Sequence, residues 1–113
     1  MFRDDRVAVE AFRVPHGEWQ DAFGYRFTTA DGTVVVSGDT GPFDGLGAIA
    51  RGAEVLVHEA YASAGLARRE PAWRRYHAAY HTSGAKVGEI AAAAGVRTVV
   101  LTHQLLWGAS EEE

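Results

Sequence analysis

Val34-Val35-Val36-Ser37-Gly38-Asp39-Thr40 reads as a short buried strand that ends on a glycine turn and presents a carboxylate. The same grammar recurs through the chain. Val55-Leu56-Val57 runs into His58-Glu59, Val99-Val100-Leu101 runs into Thr102-His103, and a strand ending at Val14 passes through Pro15 into His16-Gly17. Four apolar runs therefore deliver a His or Asp at their carboxyl ends. In open α/β sheets that edge is where ligands bind. If the strands are neighbours, these side chains share one rim. Neutral imidazole and carboxylate are donors for zinc and similar divalent ions. One strand-end histidine means little, but four repeats of the placement predict a shared metal or catalytic site.

Working outward, Val7, Val9 and Ala11 alternate onto one face of the first strand, which Pro15 stops. Gly24–Thr29 and Thr33–Ser37 are further strands, joined through Ala30-Asp31-Gly32, a turn of hairpin length. Phe43, Leu46, Ile49 and Ala50 recur at helical spacing up to Gly52. Pro71–Tyr80 is helical in composition. A further helix is predicted from Gly84 to Ala94, capped by Ser83 or Thr82 and ended by Gly95. The last strand is predicted over Arg97–Thr102, and Ala109-Ser110-Glu111-Glu112-Glu113 has the composition of a helix start. Strands giving way to alternating strand and helix indicate an α/β (α+β) domain with a mixed sheet.

The 113 residues suit a single domain with one core. Hydrophobic residues make up 47% and charged residues 23%, which excludes a disordered or collagen-like chain. Cysteine is absent, so any metal must be held by His, Asp or Glu. The net charge of −4 provides no global field for nucleic acid. No apolar run approaches the roughly 18 residues of a membrane span, and the start Met1-Phe2-Arg3-Asp4-Asp5-Arg6 is too charged for a signal peptide. A soluble cytoplasmic protein is the expectation.

Other motifs weigh less. His77 and His81 are four apart, but no Glu follows His77, so the H-E-x-x-H pattern is absent and a solvated helix face is expected for His77. Ser83-Gly84-Ala85-Lys86 spells S-x-x-K without the K-T-G or S-D-N partner that would give it meaning. The glycine-rich stretch Gly41–Gly47 lacks the Gly-Lys-Ser/Thr ending of a phosphate loop. Trp19, Trp73 and Trp107 are expected to serve packing.

Six motifs in order resemble the metallo-β-lactamase-fold hydrolases, in their ribonuclease Z-like branch. They are His16-Gly17, Ala22-Phe23-Gly24-Tyr25-Arg26-Phe27, Ser37-Gly38-Asp39-Thr40, Val57-His58-Glu59-Ala60, His81-Thr82-Ser83 and Leu101-Thr102-His103. The resemblance spans about Val7 to His103. It implies that His16 is a ligand of the first metal, Asp39 the carboxylate bridging two metals, and His103 a ligand of the second. It also implies a Glu59–His81 couple that assists proton transfer to the leaving group. The implied cofactor is a pair of zinc ions, and the implied chemistry is hydrolysis of a phosphodiester or another ester by a metal-activated water.

The departures from the family pattern matter equally. The signature H-x-H-x-D-H, which supplies the remaining ligands from the amino-terminal half of the fold, is nowhere in the chain. His16, Asp39 and His103 divided over two ions fall short of the three protein ligands a catalytic zinc usually takes. The chain is therefore expected to be the carboxyl-terminal half of an αββα sandwich, with helices on one face and without the last helix. Such a fragment would bind zinc weakly or not at all and be inactive. Its uncovered sheet face would favour self-association.

The long arm of transfer-RNA-processing members is absent from the Thr28–Thr33 hairpin, and His81-Thr82-Ser83 replaces His-Ser-Thr. Gln104-Leu105-Leu106-Trp107 after His103 also loosens the match. A small-molecule or phosphodiester substrate is favoured over RNA. The alternative is a non-catalytic half-domain that pairs with itself or a partner through its exposed sheet. A single-metal site built from His16, His58 and His103 is a third reading.

Overall fold

The computed structural model describes all 113 residues. Six strands, β1 (Phe2–Arg3), β2 (Val7–Arg13), β3 (Phe23–Thr29), β4 (Gly32–Val36), β5 (Val55–Tyr61) and β6 (Thr98–Leu105), form one sheet in sequential order. Pairing is antiparallel from β1 to β4 and parallel from β4 through β6. Consequently β2, β4, β5 and β6 run in the same direction and β3 runs against them. The carboxyl ends of those four strands lie along one edge of the sheet.

Four helices complete the chain: α1 (Gly45–Ile49), α2 (Ser63–Ala67), α3 (Pro71–Tyr80) and α4 (Gly84–Ala94). α4 has the ends its sequence calls for. The Ser83 hydroxyl accepts from Lys86 N at 3.2 Å, and Gly95 closes the helix at φ 69°. Val35 and Leu56 from the sheet, Leu46 from α1 with Ala50 at its C-cap, and Ile90, Ala91 and Ala94 from α4 make the core together with Ala53.

The core occupies one face of the sheet only. Cross-strand register aligns Val9, Phe27, Val34 and Val55 on the other face, and beside them Ala11, Tyr25, Val36, Val57 and Val100. Period-two alternation puts this set opposite Val35 and Leu56. Every member is exposed or half-buried. A mixed α/β sheet with an apolar, uncovered second face is thus the observed architecture. No helix is long and apolar enough to cross a membrane.

Four stretches differ from the sequence expectation. β5 continues to Tyr61 and β6 to Leu105, because their parallel pairing persists past Glu59↔Thr102. His58, Glu59 and His103 therefore lie within strands, not beyond them. Residues 109–113 form turns in place of a helix start, tied by Arg68 to Glu113 at 2.5 Å and by Ser110 N to Glu113 Oε2 at 2.9 Å. The five-residue α2 has no periodic signal in the sequence.

Candidate active site

Each site residue is placed by a local break in regular structure. After β2, Pro15 ends the strand and a turn closes with Trp19 N donating to His16 O at 2.9 Å. Gly17 sits at φ 54°, and a Cβ there would fall 1.9 Å from the Tyr80 ring. Only glycine allows the aromatic ring at the end of α3 to press against this loop. Tyr80 O accepts from His16 Nδ1 at 2.9 Å. A carbonyl can only accept, so the proton is on Nδ1 and His16 Nε2 carries a free lone pair. Metal-ligating histidines are commonly oriented by such a bond.

After β4, Ser37-Gly38 turns the chain at φ 65° and delivers Asp39, with its side chain 47% exposed. Asp39 Oδ2 lies 3.6 Å from His103 Nε2. His103 is the extra residue of a β-bulge: the register steps from Glu59↔Thr102 to Ala60↔Gln104 and leaves it unpaired, at φ 42°. Bulges re-aim side chains, and a non-glycine residue at positive φ is strained. Strand alternation alone would not predict this orientation.

Behind this rim lies a dry carboxylate. Glu59 is fully buried and accepts from Thr40 N at 2.9 Å, Thr82 N at 3.3 Å and His81 Nδ1 at 2.9 Å. Burial pushes its carboxyl up to about 7, against the lowering effect of the two backbone donors. Burial also holds His81 below the ordinary imidazole range, partly countered by Asp39. Thr82 Oγ1 donates to Thr40 O at 2.7 Å, so the two loops that hold Asp39 and His81 are tied directly to each other. Thr40 and Thr82 thus position the site, a role their sequence context did not announce.

The imidazoles form a row. His16 and His81 have ring centroids 5.6 Å apart, and His81 and His103 5.7 Å. His58 is not among them. It is 1% exposed, shares the Leu56 face by alternation, and its Nδ1 bonds Glu59 O at 2.6 Å while Nε2 has no partner. Burial lowers its pKa. His77 is not on a solvated face as expected. It stacks on His81 at 5.8 Å and packs against Trp73 at 3.8 Å and Trp107 at 4.9 Å. Trp73 and Trp107 do serve packing, whereas Trp19 is 66% exposed.

As a donor set the rim is chemically suited to a divalent ion but numerically short. His16 Nε2, Asp39 and His103 are imidazole and carboxylate donors at one edge, yet no three such side chains gather closely enough to hold an ion by themselves. The donors fit in type and fall short in number.

The model of the beta-lactamase superfamily domain matches residues 1–104. The chain belongs to the beta-lactamase superfamily. A ribonuclease Z of Mycobacterium sp. (strain KMS) is 39% identical over 102 residues, which cover 89% of this chain and 35% of that protein. Among solved structures, the metallo-beta-lactamase fold protein YhfI from Bacillus subtilis superposes with a TM-score of 0.73 at 22% identity, over 96% of this chain and 41% of that one. Human tRNase Z, short form, superposes with a TM-score of 0.69 at 22% identity, over 94% of this chain and 42% of that one. The resemblance carried by the six motifs therefore names the right family, and the sheet and helices match its fold. The chain spans about a third of the length of the curated relatives it matches.

Proposed function

We propose that this chain carries part of the catalytic centre of a metal-dependent hydrolase that cleaves phosphodiesters or related esters. The observation that carries the reading is the rim itself: His16, His81 and His103 in a row with Asp39 beside His103, all at the edge where four same-direction strands end. His16 and His103 would each hold one zinc ion and Asp39 would be shared between them. A divalent ion bound there acidifies water and takes up charge developing on the ester. Glu59 and His81 are the proton-handling groups. The buried carboxylate engages His81 Nδ1, which leaves His81 Nε2 as the nitrogen that would pass a proton to the departing oxygen.

The shortage of donors leads to the second part of the proposal. Ligands from outside these 113 residues, in the H-x-H-x-D-H pattern, complete the centre, and this chain alone holds zinc weakly and does not turn over substrate. The relative named ribonuclease Z makes an RNA phosphodiester one candidate substrate. The short Thr29–Gly32 turn and the acidic balance favour a smaller one.

Equilibrium dialysis with zinc and hydrolysis of bis(p-nitrophenyl) phosphate test the proposal. The chain alone is expected to retain little metal. The chain joined to an upstream H-x-H-x-D-H segment is expected to hold about two ions and cleave the ester. Asp39→Ala should abolish both properties, and full metal content with full turnover in that variant would refute the assignment.

A second reading rests on the uncovered face of Val34, Val36, Val55, Val57 and their neighbours: a non-catalytic half-domain that pairs through this sheet. Light scattering on a sizing column separates the two. A stable, defined dimer favours the pairing module, and a monomer favours the partial catalytic centre.

A further inference from the structure

Glu59 holds His81 by one ring atom: its Oε1 accepts from His81 Nδ1 at 2.9 Å. A single hydrogen bond fixes that atom and leaves the ring free to pivot about it. A proton carrier that acts through its other nitrogen needs its plane fixed as well. The rings around His81 differ in what they offer. His16 meets it edge-on at 74°, and His103 is tilted at 48°. Only His77 lies nearly parallel to it, at 14° with 5.8 Å between centroids.

His77 is itself held by neighbouring rings and not through Nδ1, which is buried and has no hydrogen-bond partner. Burial and the adjacent His81 keep its imidazole below the ordinary range, so the ring is neutral at neutral pH. Trp73 packs on it at 3.8 Å and Trp107 at 4.9 Å, and the two indoles meet edge-on at 4.8 Å. Arg69 ties the indoles together: its guanidinium donates to Trp107 O at 3.1 Å and lies 5.2 Å over the Trp73 ring. Trp107 is placed with strain. It sits at φ 49°, and the only other non-glycine residue at positive φ is His103. Such strain persists where the surroundings impose it, and it collects at functional sites.

We infer that His77 is a positioning residue: backed by Trp73 and Trp107, it lays its ring against His81 and fixes the plane in which His81 offers its second nitrogen. The inference rests on the reading of His81 as the group that hands a proton to the departing oxygen, and it adds the device that aims that group. Contact between ring faces carries the effect, so a flat ring without nitrogen serves as well. An aromatic pair of this kind is worth roughly two- to tenfold in an equilibrium.

Hydrogen exchange at His81 Nδ1, followed by NMR of the isotope-labelled 113-residue chain without metal, reads this directly. The Ile90 amide, in the core, is the reference for general loosening. His77→Leu keeps bulk but not the flat face. That variant and His77→Ala should each speed exchange at His81 about three- to tenfold and leave Ile90 unchanged. His77→Phe should restore the native rate. In the chain joined to an upstream H-x-H-x-D-H segment, His77→Leu should slow hydrolysis of diphenyl phosphate about three- to tenfold. Bis(p-nitrophenyl) phosphate should be spared, because its leaving group departs with little help from an acid.

Native exchange at His81 in both His77→Leu and His77→Ala, equal acceleration at His81 and Ile90, or no recovery with His77→Phe would overturn the inference. Equal losses on the two esters would overturn it as well. A joined native chain that cleaved neither ester would sink the hydrolase reading alone, and the exchange rates would still decide whether His77 fixes the ring.

Discussion

Replacing Glu59 with alanine strips three donors of their acceptor at once: Thr40 N, Thr82 N and His81 Nδ1. All three residues are buried. A buried donor left without a partner costs about 1–3 kcal/mol. Partial relaxation of the two loops and entry of water into the vacated space lower the simple sum. The expected loss for Glu59→Ala is about 3–5 kcal/mol. Glu59→Gln keeps one acceptor oxygen for Thr40 N and His81 but turns an amide donor toward Thr82 N, and should cost about 1–2 kcal/mol.

Urea unfolding followed by far-ultraviolet circular dichroism reads both values. The pH dependence carries a sign. With its carboxyl raised from 4.5 to about 7, Glu59 keeps its proton longer in the folded chain than in the unfolded one. Its contribution is fully present below about pH 4.5 and is lost as pH rises toward 7. The margin of the native protein over Glu59→Gln should therefore be wider at pH 5 than at pH 8. A Glu59→Ala variant within about 0.5 kcal/mol of the native chain would refute the account of the buried carboxylate, since a substitution that touches nothing important costs about that much.

Two further substitutions probe the scaffold. Gly17→Ala places a methyl group against Tyr80 at a backbone φ of 54° and should cost about 2 kcal/mol. At about 4–8 °C per kcal/mol, a thermal midpoint lowered by less than about 4 °C would contradict the close approach. Leu56→Ala should cost about 2–5 kcal/mol and Val57→Ala less than about 1 kcal/mol, because Leu56 is fully buried against α1 and α4 while Val57 is on the uncovered face. Urea midpoints in the opposite order would place the core on the wrong side of the sheet.

What could be read from the sequence was local in origin. Val34-Val35-Val36 announces a buried strand, Ser83 and Gly95 mark both ends of α4, and Pro15 and Gly38 mark where strands break into the loops that carry His16 and Asp39. The family followed from the order of six short motifs. Non-local contacts were not legible. β5 and β6 extend past their apolar runs because they pair with each other, and the bulge that singles out His103 exists only in that pairing. His77 looked solvated because its cover, Trp107, comes from a segment thirty residues further on. The Glu59–His81 couple was implied by the resemblance, but the two backbone N–H groups that hold Glu59 depend on loops from distant parts of the chain.

The claim on which the account turns is that His16 and His103 offer their ring nitrogens to a divalent ion at the shared rim. Long-range proton–nitrogen NMR of the imidazoles during a zinc titration reads this directly, even where binding is weak. Before zinc, His16 should be the tautomer protonated at Nδ1. As zinc rises into the millimolar range, the free ring nitrogen of His16 and a ring nitrogen of His103 should shift, and His58 should stay unmoved. Asp39→Ala should diminish the response. Shifts confined to His58 or His77, or no response at His16 and His103, would contradict the account.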